Sequence, residues 1–290
     1  MLEEMPCAAA SVQSLLREGQ IVLAGLDSAR LDAELLLGAT LGCGRVDLIC
    51  RRDEVVAERL AQHFHAQLAA RAEGRPMAYL LGHQEFWSLN LAVSDAVLVP
   101  RPDTELLVSL ALAHCPEDRP CAVLDLGTGS GAIALALAHE RPLADVLAVD
   151  RSASALAVAE ANRKRLGLSN VTCQEGDWCR GLSRGFDLIV SNPPYIEEGD
   201  PVLAGPGLRF EPRMALAAGA DGLADLRIIA GSAGARLLPG GWLLLEHGAA
   251  QGAAVRSLLA AAGFIRISTA RDLADHERVT LGQKEAAPHG

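Results

Sequence analysis

Aromatic residues are scarce in this chain of 290 residues, where Phe, Trp and Tyr together make up 3% of the sequence. Alanine and leucine must therefore fill most of any hydrophobic core. Basic residues are also in the minority: 26 Lys and Arg stand against 36 Asp and Glu, which gives a formal net charge of −10. That sign disfavours a protein whose main task is to bind nucleic-acid phosphates.

Long hydrophobic runs and paired cysteine motifs are missing as well. No uncharged apolar stretch approaches the ~20 residues that span a bilayer, although the mean hydropathy is slightly positive at +0.20. The seven cysteines are odd in number and include no C-x-x-C pair, and the N-terminus has no basic segment followed by an apolar one. We therefore expect a protein of the reducing cytoplasm that does not associate with membranes.

Helical periodicity marks the amino-terminal quarter of the chain. Val56, Leu60, Phe64 and Leu68 recur every fourth residue, which is the spacing of one buried face of a helix. We therefore predict a small helical bundle over residues 1–75.

The pattern changes after the predicted bundle. Residues 86–93 alternate apolar and polar side chains as a strand does, and the apolar run at residues 96–99 ends at Pro100. Together they indicate a short hairpin or linker, which we place at residues 76–100. Residues 101–290 then form a second, larger domain.

Short β-rich runs alternate with helical patterns in this second domain. The predicted strands are Ala122–Leu126, Val146–Asp150, Val171–Gln174, Phe186–Ser191, Trp242–Glu246 and Arg278–Leu281. The predicted helices are Ala132–His139, Ala153–Leu166, Leu223–Leu238 and Ala250–Ala261. Such alternation predicts an α/β fold with a doubly wound parallel sheet. Ligands of these sheets bind outside the carboxyl ends of the strands, so functional residues are expected there.

A glycine loop follows the first predicted strand of this domain and leads into a helix. Its candidate cofactor residues are Gly127, Thr128, Gly129, Ser130 and Gly131. Glycines allow a tight turn and a close approach of backbone and ligand. Asp150 ends the next strand, 19 residues after Gly131, where a carboxylate commonly binds the hydroxyls of a ribose. The combination predicts a ligand that contains adenosine, with a plain glycine turn as the alternative.

The same loop also fits the dinucleotide pattern, with Gly127, Gly129 and Ala132 at its three small positions. We expect the Asp125 carboxylate to lie at the mouth of the loop. There it would repel a pyrophosphate and attract the amino group of a cationic, methionine-like ligand. The prediction is therefore S-adenosylmethionine rather than NAD.

Asp177 and Trp178 follow the predicted strand Val171–Gln174 toward the same edge of the sheet. The carboxylate of Asp177 could accept a hydrogen bond from an adenine amino group, and Trp178 could flank the ring. The alternative is a surface aspartate beside a packed tryptophan.

The tetrapeptide Asn192-Pro193-Pro194-Tyr195 follows the buried strand Phe186–Ser191. Neither proline has an N–H group, so the backbone there offers acceptors and no donors. The Asn192 side-chain oxygen and the Pro193 carbonyl can hold both hydrogens of a planar –NH2 group while Tyr195 covers its face. This pattern predicts a clamp for an amide or amine, with a proline-rich turn as the alternative.

Three further features each have two interpretations. Arg101, Asp103 and Glu105 either line the substrate entrance or begin a helix. The loop at residues 196–212 is either a lid over the substrate or a surface excursion. The Glu246-His247 pair ends a strand, and we expect it to be structural or to contact the cofactor rather than to act as a base.

These motifs together resemble the bacterial release-factor glutamine methyltransferases, which N5-methylate the glutamine of the Gly-Gly-Gln motif in class 1 peptide chain release factors. The resemblance runs over nearly the whole chain. The matching segments are Gly74–Pro76, Tyr79–Gly82, Glu85–Trp87, Pro100–Glu105, Gly127–Gly131, Asn192–Tyr195, Arg209–Pro212 and Glu277–Thr280. Amino-group DNA methyltransferases have similar Asn-Pro-Pro-Tyr tetrapeptides. The Arg-Pro-Asp-Thr-Glu segment favours the release-factor family over its paralogue that acts on a ribosomal protein.

The resemblance implies a seven-stranded, Rossmann-like methyltransferase domain with one antiparallel strand, preceded by a helical domain that docks the release factor. It implies S-adenosylmethionine contacts at the glycine loop, Asp150, Trp178 and Asn192. It also implies a substrate glutamine held by the tetrapeptide, namely by Asn192, Pro193, Pro194 and Tyr195. We assign catalysis to Asn192 and Pro193, which orient and polarise the amide, and to Tyr195, which packs on it.

The expected partner is a class 1 release factor bound by a monomeric enzyme, with no direct nucleic-acid contact. We expect no metal, because His63 and His65 are two residues apart and point to different faces of a helix. Glutamine methylation of a ribosomal protein, N6-adenine methylation of DNA and a binding module without activity are the other functions considered. The net charge of −10 and the lack of a target-recognition domain weigh against DNA.

Overall fold

A computed structural model describes residues 10–286 and divides into two compact units, one ending at Gly82 and the other beginning at His83. The predicted first and last domains also contain residues 1–9 and 287–290, which lie outside the described part. None of the helices within residues 10–286 combines the length and apolarity that a bilayer crossing requires.

The first unit is a bundle of helices with its own hydrophobic core. The helices are α1 (Val12–Val22), α2 (Ala29–Leu41), α3 (Arg45–Cys50), α4 (Glu58–Ala72) and α5 (Met77–Leu81). The predicted four-residue periodicity falls on α4, where Phe64 and Leu68 are fully buried. Val56 is buried too, but it precedes the helix rather than belonging to it.

A hairpin opens the second unit. Its strands are β1 (His83–Phe86) and β2 (Leu89–Ala92), which pair antiparallel around Trp87 and Ser88. The predicted alternation over residues 86–93 therefore covers the turn and the second strand. The apolar run at residues 96–99 forms no strand.

Seven further strands form one sheet in the order β5-β4-β3-β6-β7-β9-β8. The strands are β3 (Cys121–Leu126), β4 (Ala144–Asp150), β5 (Val171–Glu175), β6 (Phe186–Ser191), β7 (Leu237–Glu246), β8 (Ile265–Arg271) and β9 (Glu277–Gln283). Strand β9 alone runs in the direction opposite to the other six strands of this sheet. This arrangement confirms the predicted α/β class and the seven-stranded topology with one antiparallel strand.

Helices cover both faces of the sheet, and each face has its own core. The helices of this unit are α6 (Glu105–His114), α7 (Ala132–Glu140), α8 (Ala153–Leu166), α9 (Ala224–Ala233) and α10 (Gly252–Ala261). The predicted helix Leu223–Leu238 was too long, because β7 already begins at Leu237. Strand β8 was not predicted from its own residues, since it is an edge strand with a largely exposed pattern.

The direction of winding reverses between β3 and β6, which lie side by side at the centre of the sheet. From β3 the chain proceeds to β4 and β5 on one side, then returns to β6 on the other. Leu126 of β3 pairs with Ser191 of β6, so the two strands end at the same level. Such a reversal leaves a crevice beyond the strand ends, where ligands of open α/β sheets bind.

Candidate active site

A cleft lies beyond the carboxyl ends of β3, β4 and β6, with a volume of about 940 Å³ including its open mouth. The predicted cofactor and substrate residues that line it are Gly127, Thr128, Gly129, Ser130, Asp150, Trp178, Asn192 and Pro194. Gly131, Pro193 and Tyr195 are not among the residues that line this cleft.

The glycine loop turns back toward the neighbouring strand. The backbone amides of Gly127 and Thr128 both donate to the Val149 carbonyl, at 2.8 and 3.0 Å. Gly127 has a φ of +74°, and a Cβ there would lie 3.3 Å from Trp178 Cζ3. A glycine is therefore required at this position by both the turn and the close approach of the tryptophan.

Gly131 has a different role from the rest of the loop. Its φ is +87°, and a Cβ would lie 2.9 Å from Leu135 Cδ1 and 3.3 Å from Ala159 Cβ. The third glycine therefore allows α7 to pack closely against its surroundings, as in other strand–loop–helix units.

The Asp150 carboxylate is oriented by two backbone amides. Gly129 N donates to Oδ2 and Ser152 N donates to Oδ1, each at 2.9 Å. A carboxylate oxygen accepts more than one hydrogen bond, so both oxygens retain capacity for donors in the cleft. Two hydroxyls of a ribose are donors of the matching kind.

Trp178 and Asp177 line the same cleft beyond β5. Trp178 is half-buried with a φ of +49°, and it lowers the pKa of the Asp225 carboxyl, which burial raises. Asp177 is exposed to solvent. The cleft thus contains a half-buried tryptophan ring and, next to it in sequence, the solvent-accessible carboxylate of Asp177.

The expected position of Asp125 is wrong. Its side chain is fully buried and is not among the residues that line the cleft. Thr128 Oγ1 donates to Oδ2 at 2.7 Å, whereas Oδ1 has no hydrogen-bond partner among the described residues. Burial raises the pKa of Asp125 to about 7. This carboxyl therefore does not select the ligand at the mouth of the loop.

The Asn-Pro-Pro-Tyr tetrapeptide leaves β6 at the edge of the cleft. Asn192 Nδ2 donates to Thr104 Oγ1 at 3.1 Å. No described residue donates a hydrogen bond to Asn192 Oδ1 or to the Pro193 carbonyl oxygen. The Tyr195 carbonyl, by contrast, accepts from Gln251 Nε2 at 2.9 Å. Both acceptors that the sequence predicted are thus without a donor among the described residues, and the Tyr195 carbonyl helps to hold the segment in place.

Titratable groups surround the far side of the tetrapeptide. Glu246 ends β7 with 1% of its surface exposed, and burial raises its pKa to about 7. Burial and the nearby Glu246 carboxyl raise the pKa of Tyr195 to about 12. Arg278 forms ion pairs with Asp103 at 3.4 Å and Asp272 at 2.9 Å. Thr104 was not assigned a role from the sequence, although it lies within the Arg-Pro-Asp-Thr-Glu motif, and Glu246 was expected to be structural or to contact the cofactor.

One buried carboxylate joins the segment before α6 to the loop at residues 196–212. Glu211 accepts a hydrogen bond from Val99 N at 2.9 Å and forms an ion pair with Arg101, which lines the cleft. Glu105 has a structural contact instead, because its carboxylate accepts from Trp87 N at 2.9 Å. The end of the loop reaches the cleft through Pro212.

Two known domain families match the sequence. The family described as Methyltransferase small domain matches residues 103–204, which contain the glycine loop and the tetrapeptide. The family described as PrmC N-terminal domain matches residues 14–82, which form the helical unit.

Relatives that match along most of the chain have one name in common. The release factor glutamine methyltransferase of Pseudomonas aeruginosa is 53% identical over 274 residues, or 94% of this chain and 98% of that protein. The protein of the same name from Escherichia coli K12 is 47% identical over 272 residues, or 93% and 98% of the two chains.

A solved structure supports the fold. A methyltransferase from Pyrococcus furiosus superposes with a TM-score of 0.52 and 17% identity, covering 79% of this chain and 100% of that one. At this level of identity the likeness shows the fold alone.

Proposed function

Because the chain belongs to the family of release factor glutamine methyltransferases, we propose that it methylates the glutamine of the Gly-Gly-Gln motif in class 1 peptide chain release factors. The methyl donor in this proposal is S-adenosylmethionine, and the acceptor is the side-chain amide nitrogen. The observation that carries the proposal is that Asn192 Oδ1, at the glycine-loop cleft, and the adjacent Pro193 carbonyl accept no hydrogen bond from any described residue.

The residues of the cleft fit the proposed cofactor. A Cβ at Gly129, whose φ is +56°, would meet nothing within 4 Å, so the loop leaves space for a ligand there. Asp150 would hold the ribose hydroxyls, and Trp178 would flank the adenine. When bound, S-adenosylmethionine supplies an electrophilic methyl group on a sulfonium.

The proposed catalytic contribution of the tetrapeptide is positioning and electrostatic stabilisation. An amide nitrogen is a poor nucleophile because its lone pair is delocalised. Asn192 Oδ1 and the Pro193 carbonyl would accept both amide hydrogens and stabilise the positive charge that grows on nitrogen. The buried prolines, which cannot donate, keep competing N–H groups away from the amide.

The proposed role of Tyr195 is to cover the amide face. Its ring lies close to the Gly248 backbone, since a Cβ on Gly248 would lie 3.7 Å from Tyr195 Cδ2. With a pKa raised to about 12, the phenol stays protonated and neutral at physiological pH. In this proposal Tyr195 does not serve as the base, and the amide proton leaves to solvent or to a backbone acceptor only as the C–N bond forms.

Mass spectrometry of a release factor incubated with enzyme and isotopically labelled S-adenosylmethionine tests the proposal. We expect one added methyl group on the Gly-Gly-Gln glutamine and none on a variant factor with glutamate there. Glutamate presents oxygens where the clamp requires hydrogens. Equal methylation of both factors would contradict the acceptor clamp.

Two controls separate this function from its alternatives. Duplex DNA and ribosomal protein, offered side by side with the release factor, should remain unmethylated. The enzyme variant Asp150→Ala should lose binding of S-adenosylmethionine in calorimetry, because the cleft loses its oriented carboxylate. Methylation of DNA in preference to the factor would overturn the proposed substrate.

The helical unit, which matches the PrmC N-terminal domain, is proposed to dock the release factor. The segment predicted as a linker at residues 76–100 is shared by the two units, because α5 belongs to the bundle and the hairpin to the second unit. We further propose that the enzyme acts as a monomer in the cytoplasm, where its substrate is translated and used.

A further inference from the structure

The acceptor clamp requires the Asn192 side chain to present its oxygen to the substrate. An asparagine amide has nearly the same shape in its two orientations, so neighbouring hydrogen bonds decide which atom faces the ligand. If the amide were reversed, Nδ2 would face the substrate amide and offer a donor to its N–H groups. The groups behind Asn192 therefore decide whether the clamp binds a carboxamide.

Thr104 accepts the hydrogen bond from the Asn192 side-chain nitrogen. Asn192 Nδ2 donates to Thr104 Oγ1 at 3.1 Å, and the threonine is 4% exposed. A hydroxyl can both donate and accept. It accepts reliably from Asn192 only if its own hydrogen is directed to another acceptor. That acceptor must lie behind Thr104 and must itself lack a competing proton.

Glu246 is placed to be this acceptor. Ser191 of β6 pairs with Leu245 of β7, so Asn192 and Glu246 are the next residues at the ends of two adjacent strands. The Thr104 side chain lowers the pKa of the Glu246 carboxyl, which burial raises, so the two groups interact directly. Above about pH 7, where the Glu246 carboxyl is ionised, it only accepts hydrogen bonds and directs the hydroxyl hydrogen away from Asn192.

The Glu246 carboxyl is not explained by folding stability. Its side chain is 1% exposed, and Oε2 has no hydrogen-bond partner among the described residues. Burying a carboxyl with an unsatisfied oxygen costs stability, so such groups occur where function requires them. Arg278 and Tyr195 also face this carboxyl, and neither satisfies Oε2.

We propose that Thr104 and Glu246 are positioning residues, which act in series to hold the Asn192 amide with Oδ1 toward the substrate glutamine. The hydrogen-bond direction runs from Asn192 Nδ2 to Thr104 Oγ1 and from the Thr104 hydroxyl to Glu246. This inference rests on the proposed function, because it assigns the origin of selectivity in the same clamp.

The test compares kcat, KM and the preference for glutamine over glutamate in variants of Thr104 and Glu246. Thr104→Val keeps the shape but removes the hydroxyl, and we expect kcat to fall about 10- to 100-fold. Thr104→Ser keeps the hydroxyl and should stay within about threefold of wild type. Glu246→Gln can donate to Thr104 and so reverse the chain, and we expect a fall of about tenfold. In Thr104→Val and in Glu246→Gln, the preference for glutamine over glutamate should weaken.

The double variant Thr104→Val/Glu246→Gln tests whether the two residues act in series. Glu246 acts only through the Thr104 hydroxyl, so the double variant should match Thr104→Val within about twofold. Multiplicative losses would show independent roles and would overturn the proposal. So would full activity of Thr104→Val, or equal damage from Thr104→Val and Thr104→Ser.

Thr280→Val is the matched control for removal of a buried hydroxyl. Thr280 is fully buried, and its hydroxyl bonds to His247 Nε2 and Thr269 Oγ1, both at 2.8 Å. This variant should lower Tm yet keep kcat within about twofold of wild type. A loss of kcat equal to that of Thr104→Val would overturn the positioning role. Wild-type enzyme that leaves the release factor unmethylated would instead overturn the proposed function itself.

Discussion

Asp125 shows at the scale of one residue how burial changes the role of a charge. The carboxyl lies beneath the glycine loop, fully buried, with one oxygen hydrogen-bonded to Thr128 and the other without a partner among the described residues. Desolvation raises its pKa from 3.8 to about 7. The group therefore holds a proton in the folded protein over a pH range in which the unfolded chain has already released it.

The stability of the protein should consequently depend on Asp125 between about pH 4 and pH 7. The folded state binds more protons in this window, so the free energy of unfolding falls as pH rises through it. Asp125→Asn mimics the protonated form and removes the dependence. We expect the stability of the variant relative to wild type to improve by about 2–4 kcal/mol from pH 5 to pH 8.

Thermal unfolding of both proteins across this pH range measures the effect. The informative quantity is the difference in slope, because the substitution also changes the hydrogen bond to Thr128 at every pH. Parallel curves for the two proteins would show that the Asp125 carboxyl titrates normally in the folded state.

The positions of the glycine loop and of Asn192 could be predicted from the sequence, whereas the burial of two carboxyls could not. The glycine loop and Asn192 lie where their motifs and strand ends predicted. Asp125 and Glu246 also lie at or near strand ends, but the sequence does not show which way a side chain points there. Both side chains are buried, and only the three-dimensional structure reveals that each has one oxygen without a hydrogen-bond partner among the described residues.

At the scale of the loop, two glycines form a matched pair. Gly129 in the cofactor loop has a φ of +56°, and Gly167 after α8 has a φ of +70°. A Cβ at either position would meet nothing within 4 Å. Both substitutions to alanine therefore carry the same backbone strain, of about 1 kcal/mol, without a clash inside the protein. Only Gly129 lines the cleft.

Gly129→Ala should weaken binding of S-adenosylmethionine by about tenfold or more, because the new methyl group occupies space at the ligand. Gly167→Ala should lower Tm by about as much as Gly129→Ala does, but it should leave the affinity for S-adenosylmethionine unchanged. Calorimetric titration and thermal unfolding of the two variants provide both numbers. Equal affinities would mean that the backbone of the loop does not approach the cofactor at residue 129.

The hairpin β1–β2 illustrates an element that the sequence predicted only in outline. Its turn residues Trp87 and Ser88 have φ values of +52° and +59°, a conformation that normally requires glycine or asparagine. Two hydrogen bonds compensate for the strain of this turn. Trp87 N donates to the distant Glu105, and Ser88 N donates to Glu85 within the hairpin. Local propensity contains no signal for this turn, so its position could not be read from the sequence.

Ser88→Gly should relieve the strain of this turn. The position is exposed and its φ is positive, so glycine adopts the conformation without a steric penalty. We expect a gain in the free energy of unfolding of roughly 0.5–1 kcal/mol, measured by urea denaturation. A loss of stability would show that the serine side chain contributes more than its backbone conformation costs.

At the scale of the whole chain, the two units have different proposed functions. The second unit contains the complete cleft and tetrapeptide, so it would suffice for chemistry on a small substrate. The proposed role of the bundle is to bind the body of a large protein substrate. Its surface includes large apolar side chains that are unusually exposed, with Val46 and Ile49 of α3 at 73% and 70%.

We expect Val46→Asp/Ile49→Asp to raise KM for the release factor about tenfold or more while kcat changes by less than about twofold, because solvent-exposed apolar side chains commonly mark binding surfaces. Methylation of a short peptide that contains Gly-Gly-Gln should not change. Leu273→Asp is the matched control, since Leu273 is fully exposed on the other unit and should leave both substrates unaffected. If the bundle variant impaired the peptide and the full factor equally, its effect would lie in the catalytic unit, and α3 would not be the docking surface.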